Sequence, residues 1–399
     1  MTWTIQTWSS LLLIVAVVGI LARRFHVPYN VGLVVAGISL AFLWPHPPVA
    51  LSRELVYTGL LPPLIFGAAL TLDWSAVRSD VGLLTCLASL GVGLSALITA
   101  AIMLWVGSWP VQTALLFGAL MSATDPVYAI ATLKEIGAKG RVVVLLEAES
   151  LLNDGTAAVL FASLLAFGLG NSIGVHDVAI RLAGNVLGGG LAGLATGTLA
   201  LTLIGRTDDH LLEVTVTVVA AYGSFLLAEH FGGSGVLATL SAGILIAQVG
   251  RRRKLFTEAG EAALASTWEF VTFVGSSLVF LLVGLTEGDA QWSSASPIAA
   301  LGVAAVLAGR AAAVYPICAM FHRSSQRVGW LQQHALVWGG FRGALALALA
   351  LSTPDGFPGR NVIVITTFAV VAFSVVVQGL ACRPILRSAS QPSDDRAAT

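Results

Sequence analysis

Residues 111–169 read VQTALLFGALMSATDPVYAIATLKEIGAKGRVVVLLEAESLLNDGTAAVLFASLLAFGL. Two apolar runs, 111–132 and 141–169, flank a short loop that ends in Lys134, Lys139 and Arg141. A helix needs about 20 apolar residues to cross a bilayer, so each run reads as one membrane span. Each also carries a carboxylate well inside it, Asp125 in the first and Asp154 in the second. An ionisable group at mid-bilayer costs about 2.5–3.5 kcal/mol even on the gentlest scale. Such groups are kept where they do something.

The rest of the chain follows the same pattern. It is 56% hydrophobic and 11% charged over 399 residues, with a mean hydropathy of +0.87. A soluble domain carries roughly 25% charge, so lipid must solvate much of this surface. Thirteen apolar runs can be drawn, at about 8–22, 27–44, 54–71, 81–106, 111–132, 141–169, 179–204, 210–230, 234–250, 266–286, 296–321, 332–352 and 361–382. The expected fold is an all-α polytopic membrane protein of about thirteen transmembrane helices, forming a single transmembrane domain. Residues 383–399 follow as a short tail. The first run lacks a charged region ahead of it and is read as a retained span.

Basic residues test the count, because cytoplasmic loops are enriched in Lys and Arg. Odd-numbered loops and the tail hold 16 of the 21, among them Arg23, Arg78, Lys134, Arg251, Arg323 and Arg396. Even-numbered loops hold 3, Arg53, Arg181 and Arg360. This asymmetry predicts an outside N-terminus and a cytoplasmic C-terminus. The formal net charge is zero, which gives no reason to expect a nucleic-acid partner. Cys86, Cys318 and Cys382 lie in apolar runs and read as small buried hydrophobes. The seven histidines, His26, His46, His176, His210, His230, His322 and His334, read as solvated groups in loops or near span ends. Trp3, Trp8, Trp44, Trp105, Trp109, Trp292 and Trp330 read as an interfacial aromatic belt.

Four charges fall at one depth: Asp125, Asp154, Arg310 and Arg342, on spans 5, 6, 11 and 12. In Ser122-Ala123-Thr124-Asp125-Pro126 the proline lacks an N–H and disfavours helix at Asp125. The span should unwind there and bring backbone carbonyls, the Thr124 hydroxyl and the Asp125 carboxylate together, hard oxygen ligands for a small cation. In span 6, at about 100° per residue, Glu147, Ser150 and Asp154 share a face that could line an ion path. Glu147 reads equally well as a snorkelling residue near the helix start. Glu149 faces elsewhere and needs a cation, either Arg310 or Arg342. In Gly339-Gly340-Phe341-Arg342-Gly343 three glycines weaken span 12 around its arginine. Spans 5 and 12 are seven apart, so they run in opposite directions. Both are interrupted, as in inverted repeats with paired broken helices.

These segments resemble known signatures. Ala123-Thr124-Asp125-Pro126-Val127, Glu149-Ser150-Leu151-Leu152-Asn153-Asp154-Gly155 and Gly339-Gly340-Phe341-Arg342-Gly343-Ala344 resemble sodium/proton antiporters of the monovalent cation:proton antiporter-1 family. Leu61-Pro62-Pro63-Leu64-Ile65-Phe66, Glu229-His230 leading into Ser234-Gly235-Val236-Leu237-Ala238, and Leu278-Val279-Phe280 with Gly284-Leu285 extend the likeness along nearly the whole chain.

The resemblance implies a homodimer with a dimerisation subdomain (about 8–71 and 179–286) and a core subdomain (about 81–169 and 296–382) in which spans 5 and 12 cross. It implies exchange of Na+ or Li+ for H+ by alternating access, with Thr124, Asp125, Ser150 and Asp154 as the ion site. Asn153 is the neighbour associated with electroneutral exchange, Glu149 pairs with Arg310, and Arg342 steadies the crossing. The expected partners are membrane lipid, monovalent cations and protons, in a prokaryotic inner (plasma) membrane, with no resident cofactor. K+/H+ exchange at the same site is the nearest alternative. The enzyme reading, a membrane aspartyl protease, would need a GxGD-type motif that Asn153-Asp154-Gly155 does not supply. Two positions depart from the family: Gly67 stands where relatives carry an acid, and Ser276 where they carry Asn.

Overall fold

Hydrocarbon offers no partner for a backbone amide, so a chain this apolar pairs its backbone within helices. A computed structural model describes residues 5–25, 28–43, 54–170, 175–287 and 292–390. The readings of Trp3, His26, Trp44, His46, Arg53 and Arg396, and of the side chains of His176, Arg181 and Trp292, lie outside the described residues. The helices are α1 (Ile5–Phe25), α2 (Tyr29–Leu43), α3 (Leu61–Thr71), α4 (Trp74–Ser79), α5 (Val81–Cys86), α6 (Val92–Trp105), α7 (Val111–Leu120), α8 (Pro126–Glu135) and α9 (Arg141–Gly168). They continue with α10 (Val175–Ile204), α11 (His210–His230), α12 (Gly235–Arg252), α13 (Glu258–Glu287), α14 (Trp292–Met320), α15 (Trp330–Trp338), α16 (Ala344–Ser352), α17 (Arg360–Phe373), α18 (Gly379–Ala381) and α19 (Arg383–Ser390). Short π-helical stretches lead into α3, join α5 to α6 and join α17 to α18.

Among the described residues, nine helical stretches are long and apolar enough to cross a membrane, and α2 and α7 are apolar but shorter. The runs at 111–132 and 332–352 are not continuous helices. Each is a pair of half-helices, α7 with α8 and α15 with α16, separated by the five residues 121–125 and 339–343. The run expected from 266 begins earlier, at Glu258. Thr257 caps that start by accepting the Gly260 amide at 2.9 Å, and Glu258 and Glu261 in the first turn suit the positive end of the helix.

Two apolar clusters hold the bundle together. One is built around α3, α10, α11, α12 and α13, with Phe66, Ile204, Ala221, Ile246 and Trp268 at its heart. The larger one includes Phe117, Leu145, Val314, Leu347 and Val371 from α7, α9, α14, α16 and α17. Large apolar side chains such as Leu13, Ile20, Leu187 and Leu191 stay exposed on the outer helices; lipid is their natural solvent. Glycine permits the closest contacts. A Cβ on Gly284 would lie 2.1 Å from the Val34 carbonyl, and one on Gly37 would lie 2.3 Å from that of Leu281, so α2 and α13 meet backbone to backbone.

Two readings need correction. Trp109 is buried, its ring edge-on to Phe117 at 5.3 Å, instead of interfacial. His334 is half-buried, with Nδ1 2.8 Å from the Tyr315 hydroxyl. The start of the tail is helix α19, which packs on α15 and α9 and buries Leu386. The cysteines are free, Cys318 and Cys382 buried and Cys86 half-buried.

Candidate functional site

Two broken helices leave four half-helix ends inside the bundle, each with unpaired backbone groups. The site is built from the side chains that satisfy them. Asp125 directly precedes Pro126, the first residue of α8, where a missing N–H costs nothing. Its Oδ1 accepts the Tyr128 amide at 3.0 Å and so caps α8. Its Oδ2 accepts the Ala344 amide at 3.2 Å, at the start of α16 in the other broken helix. The Asp125 amide donates to the Phe341 carbonyl at 2.8 Å, which fastens the two breaks together. Gly343 allows this closeness, since a Cβ there would fall 1.7 Å from Asp125 Oδ2.

Cations serve the carbonyl ends. Arg342, fully buried, donates from Nη1 to the carbonyls of Ser122, at 3.0 Å, and Ala123, just beyond α7. Its amide donates to the Ser374 hydroxyl at 2.9 Å. Arg310 on α14 donates to the Leu336 carbonyl near the end of α15 at 2.8 Å, and Gln378 Nε2 donates to the Trp338 carbonyl at 2.7 Å. Arg310 also grips Glu149 with both nitrogens, Nη1 to Oε1 at 2.6 Å and Nη2 to Oε2 at 2.7 Å. The two candidate partners of Glu149 are thereby separated: Arg310 takes the carboxylate and Arg342 takes the end of α7.

On α9, Asn153 continues the network. Its amide nitrogen donates to Glu149 Oε1 at 2.9 Å and to Thr124 Oγ1 at 2.7 Å, and its oxygen accepts the Thr124 amide at 3.3 Å. The Thr124 and Ser150 hydroxyls are 2.6 Å apart. Thr124, Asp125 and Asp154 line one small cavity of about 20 Å3, together with Ala123, Ser276 and Ala344. One water-sized occupant needs about 10–15 Å3, so a single small ion fits. Ser150 does not line this cavity; it acts on it through Thr124. Asp154 is 1% exposed, and its Oδ1 has no hydrogen-bond partner among the described residues. A buried carboxylate oxygen in that condition favours a proton or a cation.

Beside this cavity lies a much larger one of about 700 Å3, walled by α2, α3, α8, α12 and α13. Ser276 and Leu64 line both. Its charged residues are Lys134, Arg251, Glu261 and Glu269, and Gly67 lies on its wall. Glu147 is half-buried and is not among the residues lining either cavity. The sequence reading missed Glu269. The signal was there in Glu269, Thr272 and Ser276, spaced three and four apart on one face of α13. Among the described residues no group of three His, Cys, Asp or Glu side chains forms a metal centre.

The family description "Sodium/hydrogen exchanger, transmembrane" matches residues 11–388. The chain belongs to the sodium/hydrogen exchanger family. This family member is 35% identical over 369 residues to the low-affinity Na+/H+ antiporter NhaS1 of Synechocystis sp., covering 90% of this chain and 69% of that one. It is 33% identical over 402 residues to the Na+/H+ antiporter NhaH of Halobacillus aidingensis, covering 96% and 97%. In fold it matches the solved sodium proton antiporter MjNhaP1 of Methanocaldococcus jannaschii, with a TM-score of 0.78 over 97% of this chain and 99% of that one, at 19% identity. The family member is a multi-pass, all-helical membrane protein of a transporter family.

Proposed function

We propose that this chain is a secondary antiporter that exchanges Na+ or Li+ for H+ across the inner (plasma) membrane. The observation that carries the proposal is the single small cavity lined by both Asp125 and Asp154. The family and the named antiport activity of its relatives support it. Asp154 offers an unpartnered oxygen, and Asp125 and the Thr124 hydroxyl offer further hard oxygens. A cation and a proton compete for the same carboxylates, so loading one displaces the other. Moving the empty, anionic site past apolar lining is costly, which keeps the exchange coupled.

In this reading the core subdomain, about 81–169 and 296–382, carries the site past a dimerisation subdomain, about 8–71 and 179–286, with thirteen spans per protomer in a homodimer. The two broken helices cross in the core. The basic end, with Lys134, Arg251 and α19, faces the cytoplasm, and the N-terminus lies outside. The wide cavity is then the cytoplasmic approach, and alternating access would open the site to the other side in turn. Asn153, uncharged beside Asp154, accords with electroneutral exchange. K+ remains the second candidate cation, because the same oxygens bind it.

The test is dequenching of a pH-sensitive dye in everted vesicles on adding Na+, Li+ or K+, with Asp154→Asn as the control. The expected result is a Na+ or Li+ response in the parent and none in the folded variant. Normal exchange by Asp154→Asn would overturn the site, and absence of any cation response in the parent would overturn the antiport.

A further inference from the structure

The wide cavity, about 700 Å3, has room for many waters at about 30 Å3 each. The carboxylate cavity, about 20 Å3, has room for one water-sized occupant. A cation that passes from the first to the second must leave most of its hydration shell behind. The place where it does so is marked by the residues common to both linings. Among the described residues these are Leu64 of α3 and Ser276 of α13.

Leu64 is buried and lies against α13: a Cβ on Gly275 would fall 3.2 Å from its Cδ2 and 3.5 Å from its Cγ. Ser276, the next residue, is half-buried. The other α3 and α13 residues that line the carboxylate cavity, Leu61, Ile65, Val279 and Phe280, are apolar. Ser276 is therefore the polar side chain of that wall. Its hydroxyl donates to the Phe273 carbonyl of its own helix at 3.0 Å. That bond occupies the proton and leaves the oxygen's lone pairs free to accept. The neighbouring Ser277 is committed elsewhere, its Oγ 2.7 Å from the Tyr29 hydroxyl. One hydroxyl oxygen thus stands at the neck, reached from the wide cavity on one side and from the carboxylate cavity on the other.

We propose that Ser276 is a specificity-determining residue of the exchange: at the neck beside Leu64, its oxygen replaces one water of the incoming cation before Asp125 and Asp154 take it. Fixed oxygens that stand in for hydration waters are how a filter chooses among ions. Smaller cations give up water more reluctantly, so Li+ depends on this oxygen most and K+ least. The assignment rests on the antiport reading.

The experiment uses the full chain in proteoliposomes, with exchange rates measured side by side for Li+, Na+ and K+. Ser276→Ala removes the oxygen and is expected to slow Li+ exchange several-fold, Na+ less and K+ least. Ser276→Thr keeps the oxygen and should restore the parent's order. A loss of the same size for every cation, as structural damage would give, would overturn the assignment, as would a folded Ser276→Ala variant at the parent's rates. A second arm needs no exchange and uses a background carrying Cys86→Ala, Cys318→Ala and Cys382→Ala. There Ser276→Cys is expected to react with a membrane-impermeant methanethiosulfonate added on the Lys134 side. Ala344→Cys, which lines the carboxylate cavity alone, should react with Ag+ but not with the larger reagent. A Ser276→Cys variant unreactive from that side, or an Ala344→Cys variant open to the methanethiosulfonate, would overturn the neck. If the parent exchanges no cation for protons, the antiport reading fails, while labelling still reports on the neck.

Discussion

Asp125 and Arg342 cap each other's helices. Arg342 Nη1 closes the carbonyl end of α7, the half-helix that leads into Asp125. Asp125 Oδ2 closes the amide end of α16, the half-helix that follows Arg342. Each residue sits in one break and repairs the backbone of the other, so the two breaks are stable only together.

Asp125→Asn and Asp125→Ala should therefore differ. Asparagine keeps an oxygen to accept the Tyr128 or Ala344 amide, whereas alanine removes both caps. Loss of a cap costs about 0.5–2 kcal/mol, so Asp125→Ala should melt well below the parent in detergent and Asp125→Asn close to it. Both should lose exchange. Equal melting temperatures for the two variants would count against the double cap.

Arg310→Ala should lower folded yield sharply. Removing one partner of a buried ion pair costs about 3–5 kcal/mol, because the other charge is left stranded; here that charge is Glu149, 1% exposed. The double variant Glu149→Leu/Arg310→Met should recover much of the loss. Fluorescence-detected gel filtration after a heating series would reveal it. A single variant as stable as the parent would show that the pair does not hold α9 to α14.

Thr124→Val keeps the shape of the side chain but strands the Ser150 hydroxyl and one Asn153 N–H. A buried polar group left unpaired costs about 1–3 kcal/mol. The Na+ concentration for half-maximal exchange should rise, and Thr124→Ser should restore it. Ser150→Ala should raise it less, because Ser150 reaches the cavity only through Thr124. An equal rise for Ser150→Ala and Thr124→Val would argue that Ser150 itself holds the ion.

Gly67 can now be tied to a neighbour. A Cβ there would lie 2.3 Å from Thr272 Cγ2, so the threonine on α13 occupies the space that a side chain on α3 would need. Gly67→Glu alone should destabilise the protein, while Gly67→Glu/Thr272→Ser should fold and shift the pH profile of exchange. If Gly67→Glu melts like the parent, α3 and α13 have more freedom than their contact implies.

The breaks at Asp125 and Arg342 were legible in the sequence because proline and clustered glycine act locally on the backbone. The two polar faces of α9 were legible for the same reason, since helical spacing alone puts Glu149 away from Asp154. Helical spacing alone left open which arginine meets Glu149; the family resemblance implied Arg310, and Arg310 is the one in contact. Arg310 and Arg342 share a depth, and only tertiary packing sends one to α9 and the other to the end of α7. The wide cavity was illegible because five helices, distant in sequence, wall it. The α19 helix was legible in principle, from Cys382, Leu386 and Ala389 on one helical face, but the tail was read only for its length. Trp109 reads as interfacial because nothing nearby in sequence announces Phe117 above it.

The carboxylate of Asp125 is a structural strut, and in the proposed antiport it is a ligand as well. An arriving ion cannot draw on its oxygens without loosening the first turns of α8 and α16 together. On the antiport reading, cargo recognition and the loosening of the scaffold around it would be one physical event, and no relay to a distant sensor would be required for the protein to register that it is loaded.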